Sequence, residues 1–317
     1  MDDIYNNMAI IDLHTHSTVS DGTMKPAEIF ALAHELHLQA VALTDHDTVD
    51  GLAEFMAAGA EYPECEAVPG VELACSFMNR EIHIVGLFID RNNPVLLEFI
   101  ENARIERCRR NRDIFVKLEL KGYPLDMSMP EFDGYTLDSI GRPHFARALV
   151  NRFGFANIRQ VFDKLLGHNR PAYVPRKLPD PRLAIDAIHA SGGVAVWAHP
   201  VQRERNERAW LTRAARKLAA LGLDAVEGYY SMFGQAESAM VCETAPRYSL
   251  AISGGSDFHG ENSPDVVLGF GAGGLRVPAE LLAGLKAKRI ERLRELSPEQ
   301  ASADIPAKHN AVLQQDC

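Results

Sequence analysis

Ile10-Ile11-Asp12-Leu13-His14-Thr15-His16-Ser17-Thr18-Val19-Ser20-Asp21-Gly22 is the stretch from which the fold is read. An apolar run ending in His-x-His reads as a β-strand. Because side chains alternate along a strand, His14 and His16 leave its end on the same side. Two imidazoles so placed can share one metal ion. A lone pair of this kind is equally well a couple of surface histidines, so its company decides. Downstream lie Asp45-His46-Asp47, Glu72, His83, His199-Pro200 and Ser256-Asp257-Phe258-His259, nearly all directly after an apolar run.

Those runs alternate with helical patterns. Ala40–Leu43 is a short continuous apolar strand of the kind covered on both faces. Val68–Leu73, Glu81–Phe88, Gly193–Ala198, Asp224–Tyr229 and Leu250–Ser256 read as further strands. Helices are expected from Lys25-Pro26 to Leu36, over Gly51–Ala60, Pro181–Ala190 and Arg208–Leu221. Strands alternating with helices, with polar groups gathered at strand ends, predict a barrel-like α/β enzyme whose site lies on the C-terminal face. His34 and His37, on the first helix, read as surface or half-buried residues.

The candidate metal ligands are His14, His16, Asp21, His46, Glu72, His83, His199, Asp257 and His259. Glu72 and His83 sit among apolar residues, where an unpaired carboxylate would cost several kcal/mol. A metal ion removes that penalty. Nine oxygen and nitrogen ligands without a thiolate exceed what one four-coordinate zinc needs, so two to three divalent ions are expected, Mn2+ foremost, with Fe2+ or Zn2+ as alternatives. Metals a few ångströms apart suit phosphate ester hydrolysis. One pair activates a bridging hydroxide while the ions neutralise the phosphoryl and leaving oxygens. Asp257 is expected to orient the nucleophile, and His199 and His259 to ligate metal, the alternative for either being to protonate the leaving group.

The chain has 317 residues and a net charge of -10, which argues against broad binding of duplex DNA. The total hides an asymmetry: residues 96–182 carry 16 Lys and Arg against 11 Asp and Glu, or +5, leaving -15 for the remainder. From Pro94 the pattern becomes a long charged helix, Leu96 to about Leu120, followed by helical pieces without strands. Its run Arg104–Lys117 reads as a solvated face. We therefore expect a discontinuous metal-binding barrel, residues 1–95 and 183–296, an inserted helical subdomain over 96–182 that covers the substrate, and a polar, partly disordered tail over 297–317. Within the insertion, Pro143 at a helix start places Ser139 and Arg142 beside free backbone N–H groups, an arrangement that attracts anions. His144, Arg170 and Lys177 complete the candidate substrate contacts. The five cysteines form no C-x-x-C, the acidic start lacks the layout of a secretory signal, and no apolar run is long enough to span a bilayer. A soluble cytoplasmic protein with no membrane partner is expected; the sequence leaves the oligomeric state open.

Taken together, His14-x-His16, Asp45-His46, Glu72, His83, His199-Pro200 and Ser256-Asp257-x-His259 resemble the polymerase and histidinol phosphatase (PHP) metal-dependent phosphoesterases. The resemblance runs from about Ile10 to Val277 and implies a distorted seven-stranded (β/α) barrel. Ile140-Gly141-Arg142-Pro143-His144 and the strand Gly192–His199 are similar to the branch that removes the 3'-phosphate from nucleoside 3',5'-bisphosphates, such as adenosine 3',5'-bisphosphate, and whose relatives trim short RNA from the 5' end. The implied partner is a small nucleotide bisphosphate or the 5' end of a short RNA. Three readings compete: a histidinol-phosphate-type phosphatase, an amidohydrolase and a non-catalytic PHP scaffold. Amidohydrolysis commonly needs a bridging carbamylated lysine, and Glu72 stands at that place here.

Overall fold

The structure is a computed structural model and describes residues 10–201 and 207–295. Short aliphatic runs form the strands of one sheet whose order follows the sequence: β1 (Ile11–Asp12), β2 (Ala40–Leu43), β3 (Glu66–Phe77), β4 (Arg80–Leu87), β5 (Val194–Ala198), β6 (Ala225–Tyr230) and β7 (Ala251–Gly255). β1, β2 and β3 run parallel, β4 is antiparallel to both neighbours, and β5, β6 and β7 run parallel again. The two ends of the sheet meet. Leu13 N–H donates to Gly254 O (3.1 Å), Asp257 N–H to His14 O (2.9 Å) and His16 N–H to Phe258 O (2.9 Å). The result is a nearly closed seven-stranded barrel, in which closure satisfies backbone groups that an open edge would expose.

The reversal at β4 is a tight hairpin. Phe77 pairs with Arg80, and the two residues between them, Met78 and Asn79, have φ of 48° and 63°. Two successive positive φ values are what a two-residue hairpin turn demands. β3 therefore runs on to Phe77, past the expected end at Leu73, because it pairs with β4 along its whole second half.

Period-two alternation sorts the apolar residues into two layers. Ile11, Leu13, Ala40, Ala42, Val68, Val85, Leu87, Val194, Val196 and Ala198 pack together as the barrel interior. Val41, Leu43, Val71, Leu73, Ile84 and Trp197 point the other way, onto Phe30 and Phe55 of the helices Pro26–Glu35 and Leu52–Gly59 and onto Ile188 of Pro181–Ala190. Each fully buried side chain of this size contributes about 1.5–3 kcal/mol. Pro26 and Pro181 open their helices at a position whose N–H has no intrahelical acceptor to lose, and Asp180 caps the second by accepting from Arg182 N–H (2.8 Å). Helices at Gln235–Thr244 and Leu281–Glu295 were not expected from the sequence. The second buries only Leu285, which leaves little apolar periodicity to read.

The described chain divides into two compact units, residues 10–100 with 178–295, and residues 101–177. The second unit contains helices and no strand among its described residues, and has a core of its own, including Ile114, Phe132, Ile140, Phe145, Leu149 and Leu166. Its charged run is less solvated than expected. On the helix Pro94–Glu119, Arg104 pairs with Asp138, Lys117 Nζ donates to Tyr173 O (2.7 Å), and buried Asn111 donates to Leu137 O (2.7 Å) and Ile140 O (2.9 Å). Side chains that read as a solvated face thus tie down the loops of this unit. The expected polar tail, 297–317, lies outside the described residues.

Candidate metal centre

The strands deliver their polar residues to one place. Glu72 on β3 and His83 on β4 continue the interior-facing rows of Val68 and of Val85 and Leu87. His14 and His16 follow β1, His46 follows β2, His199 follows β5, and Asp257 and His259 follow β7. The buried Glu72 carboxylate stands at the centre. Its Oε2 lies 2.9 Å from His46 Nδ1 and 3.3 Å from Nε2 of both His14 and His16, and its Oε1 lies 2.8 Å from His83 Nδ1 and 3.1 Å from His199 Nε2. Asp257 Oδ1 is 3.2 Å from His16 Nε2 and 3.5 Å from His14 Nε2. Asp21 closes the other side, 3.2 Å from His259 Nε2 and 3.8 Å from His46 Nε2. All nine residues singled out in the sequence are thus drawn into one cluster.

Among the described residues, three sets of side chains have ligand atoms close enough to hold an ion: His16, Asp21, His46 and His259; His14, His16 and Glu72; and His46, Glu72 and His83. They share His16, His46 and Glu72, so ions held by them would be near neighbours. The donors fit such ions. His14 Nε2, both ring nitrogens of His16 and Glu72 Oε2 are buried and make no hydrogen bond, an arrangement costly to leave uncompensated. The set is imidazole and carboxylate without thiolate, which suits divalent ions of the Mn, Fe or Zn type.

Charge acts in the same direction. Burial alone would push His16 and His83 down, but Asp257 and Glu72 beside the first, and Glu72 and Glu81 beside the second, raise each to about 10. His14 is likewise carried well above its ordinary range against burial by Glu227, Glu72 and Asp257. Burial would raise Glu72, yet His46, His14 and His83 hold it well below the usual carboxylate range. Asp257, against the same burial effect, is held low by His14, His16 and His259. A centre that draws protons onto buried imidazoles attracts divalent cations for the same reason.

Backbone conformation at the centre is unusual. His199 (φ 32°) and Asp257 (φ 57°) occupy the left-handed region, which non-glycine residues adopt rarely and mostly at functional sites.

Several residues that hold the cluster escaped the sequence reading. Asp12, fully buried, accepts from Ser256 N–H (2.8 Å), Gly269 N–H (2.7 Å) and His14 N–H (3.3 Å). Asp45, named only as a neighbour of His46, accepts from Ser17 N–H (2.7 Å) and from the hydroxyls of Ser17 and Ser20 (2.6 Å each). Glu227 accepts from His14 Nδ1 and from His199 N–H, and Tyr230 donates to Asp257. Glu227 was visible in principle, since a carboxylate inside the apolar run Ala225-Val226-Glu227 carries the signal that found Glu72.

The candidate substrate contacts all belong to the second unit. Arg142 opens the helix Arg142–Phe153, half-buried with its guanidinium 5.7 Å from the ring centres of Phe162 and Tyr173. Ser139 spends its hydroxyl on a local turn with Thr136, and His144 Nδ1 accepts from Gly141 N–H (3.0 Å). Arg170 and Lys177 are exposed.

Residues 12–128 match the PHP domain profile. The chain is 35% identical over 260 residues to the 5'-3' exoribonuclease Rnm of Escherichia coli, covering 80% of this chain and 86% of that protein. It is 36% identical over 269 residues to the 3',5'-nucleoside bisphosphate phosphatase of Chromobacterium violaceum, covering 82% and 91%. A solved structure from Bifidobacterium adolescentis, described as a metal-dependent phosphoesterase, superposes with a TM-score of 0.77 at 26% identity, covering 88% of this chain and 96% of that one. These relatives place the seven-stranded barrel and its buried histidine and carboxylate cluster among the metal-dependent hydrolases of the phosphoesterase class. The chain belongs to the PHP family. Among its described residues no helix is long and apolar enough to cross a membrane.

Proposed function

We propose that the protein is a 3',5'-nucleoside bisphosphate phosphatase, removing the 3'-phosphate, and that short RNA 5' ends are a second substrate. The observation that carries the reading is the gathering of eight ligand-type side chains, with buried Glu72, into one cluster. The names of the relatives described above support the substrate class. His14, His16, Asp21, His46, Glu72, His83, His199, Asp257 and His259 are assigned as the ligands of two to three divalent ions, with Mn2+ as the ion to test first. When bound, such ions supply Lewis acidity at the phosphoryl oxygens and make water a competent nucleophile near neutral pH.

The chain's own groups do the rest. Water attacks phosphorus, the bond from phosphorus to the 3'-oxygen breaks, and that oxygen leaves with a proton. Asp257 orients the attacking water through a carboxylate fixed on one side by Tyr230. Burial of Glu72, His14 and His16 keeps bulk water from screening the charges that hold the phosphoryl group.

The non-reacting phosphate needs positive partners of its own. We assign that role to Arg142, Arg170 and Lys177, with His144 as a flanking donor, on the strength of the +5 balance of residues 96–182 and the bidentate fit of Arg to phosphate; the Ser139 hydroxyl is already donated to Thr136 O. The test is hydrolysis with Mn2+, read as phosphate release from a nucleoside 3',5'-bisphosphate, a 3'-monophosphate and histidinol phosphate, and as mononucleotide release from a short 5'-phosphorylated RNA. The bisphosphate should have the highest kcat/KM. Arg142→Ala should lower it by about tenfold to a hundredfold on the bisphosphate, the worth of a charge-assisted bond of roughly 1.5–3 kcal/mol, and barely alter it on the monophosphate. Equal losses on both would refute the assignment of Arg142. Preference for histidinol phosphate would refute the substrate class.

A further inference from the structure

Glu227 and Tyr230 lie three apart on β6, and residues three apart on a regular strand face opposite sides. Here they do not. Glu227 pairs with Ser253, but Tyr229 pairs with Gly254 and Tyr230 with Gly255, so the register slips by one at Gly228. The extra residue reverses the alternation and turns Tyr230 toward the side that Glu227 already faces. Gly228 suits the bulge because a Cβ there would lie 2.6 Å from Cys242 Sγ and 2.9 Å from Ile252 Cγ2.

The bulge aims two side chains at the cluster. Glu227, 1% exposed, accepts from His14 Nδ1 through Oε1 (2.7 Å) and from His199 N–H through Oε2 (2.7 Å). Tyr230 donates its hydroxyl to Asp257 Oδ2 (3.0 Å), with its ring 5.4 Å from that of His199. The bonds to the His14 ring and to Asp257 each take one polar atom of the partner and leave the other to the cluster. His14 Nε2, 3.3 Å from Glu72 Oε2, is left without a hydrogen bond, and Asp257 Oδ1 is left facing His14 and His16.

We propose that Glu227 and Tyr230 are positioning residues of the metal centre. Glu227 fixes the His14 ring with its proton on Nδ1 and its Nε2 lone pair toward the ions, and it pins the backbone where His199 takes its left-handed turn. Tyr230 fixes the rotamer of Asp257. A ligand held through its far atom is already oriented before the ion arrives, so the ion binds without paying to order it. The inference rests on the metal reading given above. The competing account is that Glu227 and Tyr230 merely stabilise the fold, as Arg292 does by pairing with buried Asp224 (2.7 Å).

The experiment uses the full-length protein stripped with a chelator, and compares native, Glu227→Gln, Glu227→Asp, Tyr230→Phe and the stability control Arg292→Met. Mn2+ affinity is read by titration calorimetry, melting temperature without metal by circular dichroism, and kcat and KM on adenosine 3',5'-bisphosphate. Glu227→Gln should bind Mn2+ about tenfold to a hundredfold more weakly, with activity regained at high Mn2+. Glu227→Asp, which reaches only one of the two partners, should fall between and provides the readout if the Gln variant fails to fold. Tyr230→Phe should lower kcat about tenfold at unchanged KM. Arg292→Met should lower the melting temperature and leave Mn2+ affinity alone. Glu227 variants that bind Mn2+ as natively while melting lower would overturn the proposal for Glu227, and a native kcat in Tyr230→Phe would overturn it for Tyr230. Native protein that binds no Mn2+ would overturn the metal reading itself, a distinct failure.

Discussion

Asp12→Ala should destabilise the barrel and unseat its centre together. The Asp12 carboxylate is fully buried, and burial raises its pKa against the pull of the N–H groups of Ser256, Gly269 and His14. The bonds to Gly269 and Ser256 are short, at 2.7 and 2.8 Å, while that to His14 at 3.3 Å is weak. Alanine leaves two strongly held, buried donors without an acceptor, at about 1–3 kcal/mol each, or about 2–6 kcal/mol. Relief from burying a carboxylate offsets part of this. Against a total stability on the order of 5–15 kcal/mol the loss is severe. At roughly 2 °C per kcal/mol for a domain of this size, the melting temperature should fall by about 4–12 °C. Asp12→Asn keeps one acceptor oxygen and should lose about half as much. Thermal unfolding followed by circular dichroism reads the effect. Because Ser256 precedes Asp257 and the third donor belongs to His14, metal affinity should fall in the same variant. An Asp12→Ala protein that melts within about 1 °C of native would show that water or a shifted side chain replaces the carboxylate, and the reasoning would fail.

Elemental analysis after Mn2+ loading should find two to three ions per chain, and one or none would contradict the overlapping ligand sets. Asp257→Asn keeps the shape and removes the charge, so turnover should drop by orders of magnitude with little change in melting temperature; a near-normal rate would rule out its role. Burial, with Glu64 and Glu66 nearby, raises the Cys65 thiol to about 11. At pH 8 about one such thiol in a thousand is ionised, against about one in four for an ordinary cysteine. Iodoacetamide should therefore label Cys65 at pH 8 at least about a hundredfold more slowly than free cysteine, rising about tenfold per pH unit toward pH 10. Mass spectrometry showing labelling at the free rate would refute the shift.

The barrel was legible because its strands are short apolar runs whose polar residues fall at the ends. Where Leu13 or Ala198 is followed directly by a histidine, the pattern carries both fold and site. Glu72 and His83 were found by a cost argument, since ionisable groups inside apolar strands need partners. What the sequence concealed depended on pairing. The hairpin at Met78-Asn79 has only one residue with turn chemistry, and the reach of β3 to Phe77 is set by its partner β4. Tyr230 could not be assigned to the centre because a regular strand would point it away, and the bulge that reverses it is visible only in the register with β7. The short bonds to Asp12 come from the N–H groups of Ser256 and Gly269, 244 and 257 residues distant, which no local pattern reveals. The charged run Arg104–Lys117 misled for a similar reason: its partners Asp138 and Tyr173 come from loops whose course the sequence does not state.

The hairpin of β3 and β4 also bears on the order in which the protein assembles. Its pairing closes a two-residue loop and sets Glu72 opposite Val85, two positions from His83, at a sequence separation of 11 for the two candidate ligands. Hairpins of this kind form in microseconds, whereas the closure of β1 against β7 must bring Leu13 to Gly254 and His14 to Asp257. One half of the centre is thus available early and the other half arrives last. An ion that binds both halves stabilises contacts on each side of that seam, so to the extent that they form after the transition state Mn2+ should slow unfolding more than it speeds folding. The metal would then act as a kinetic latch on the barrel's final seam.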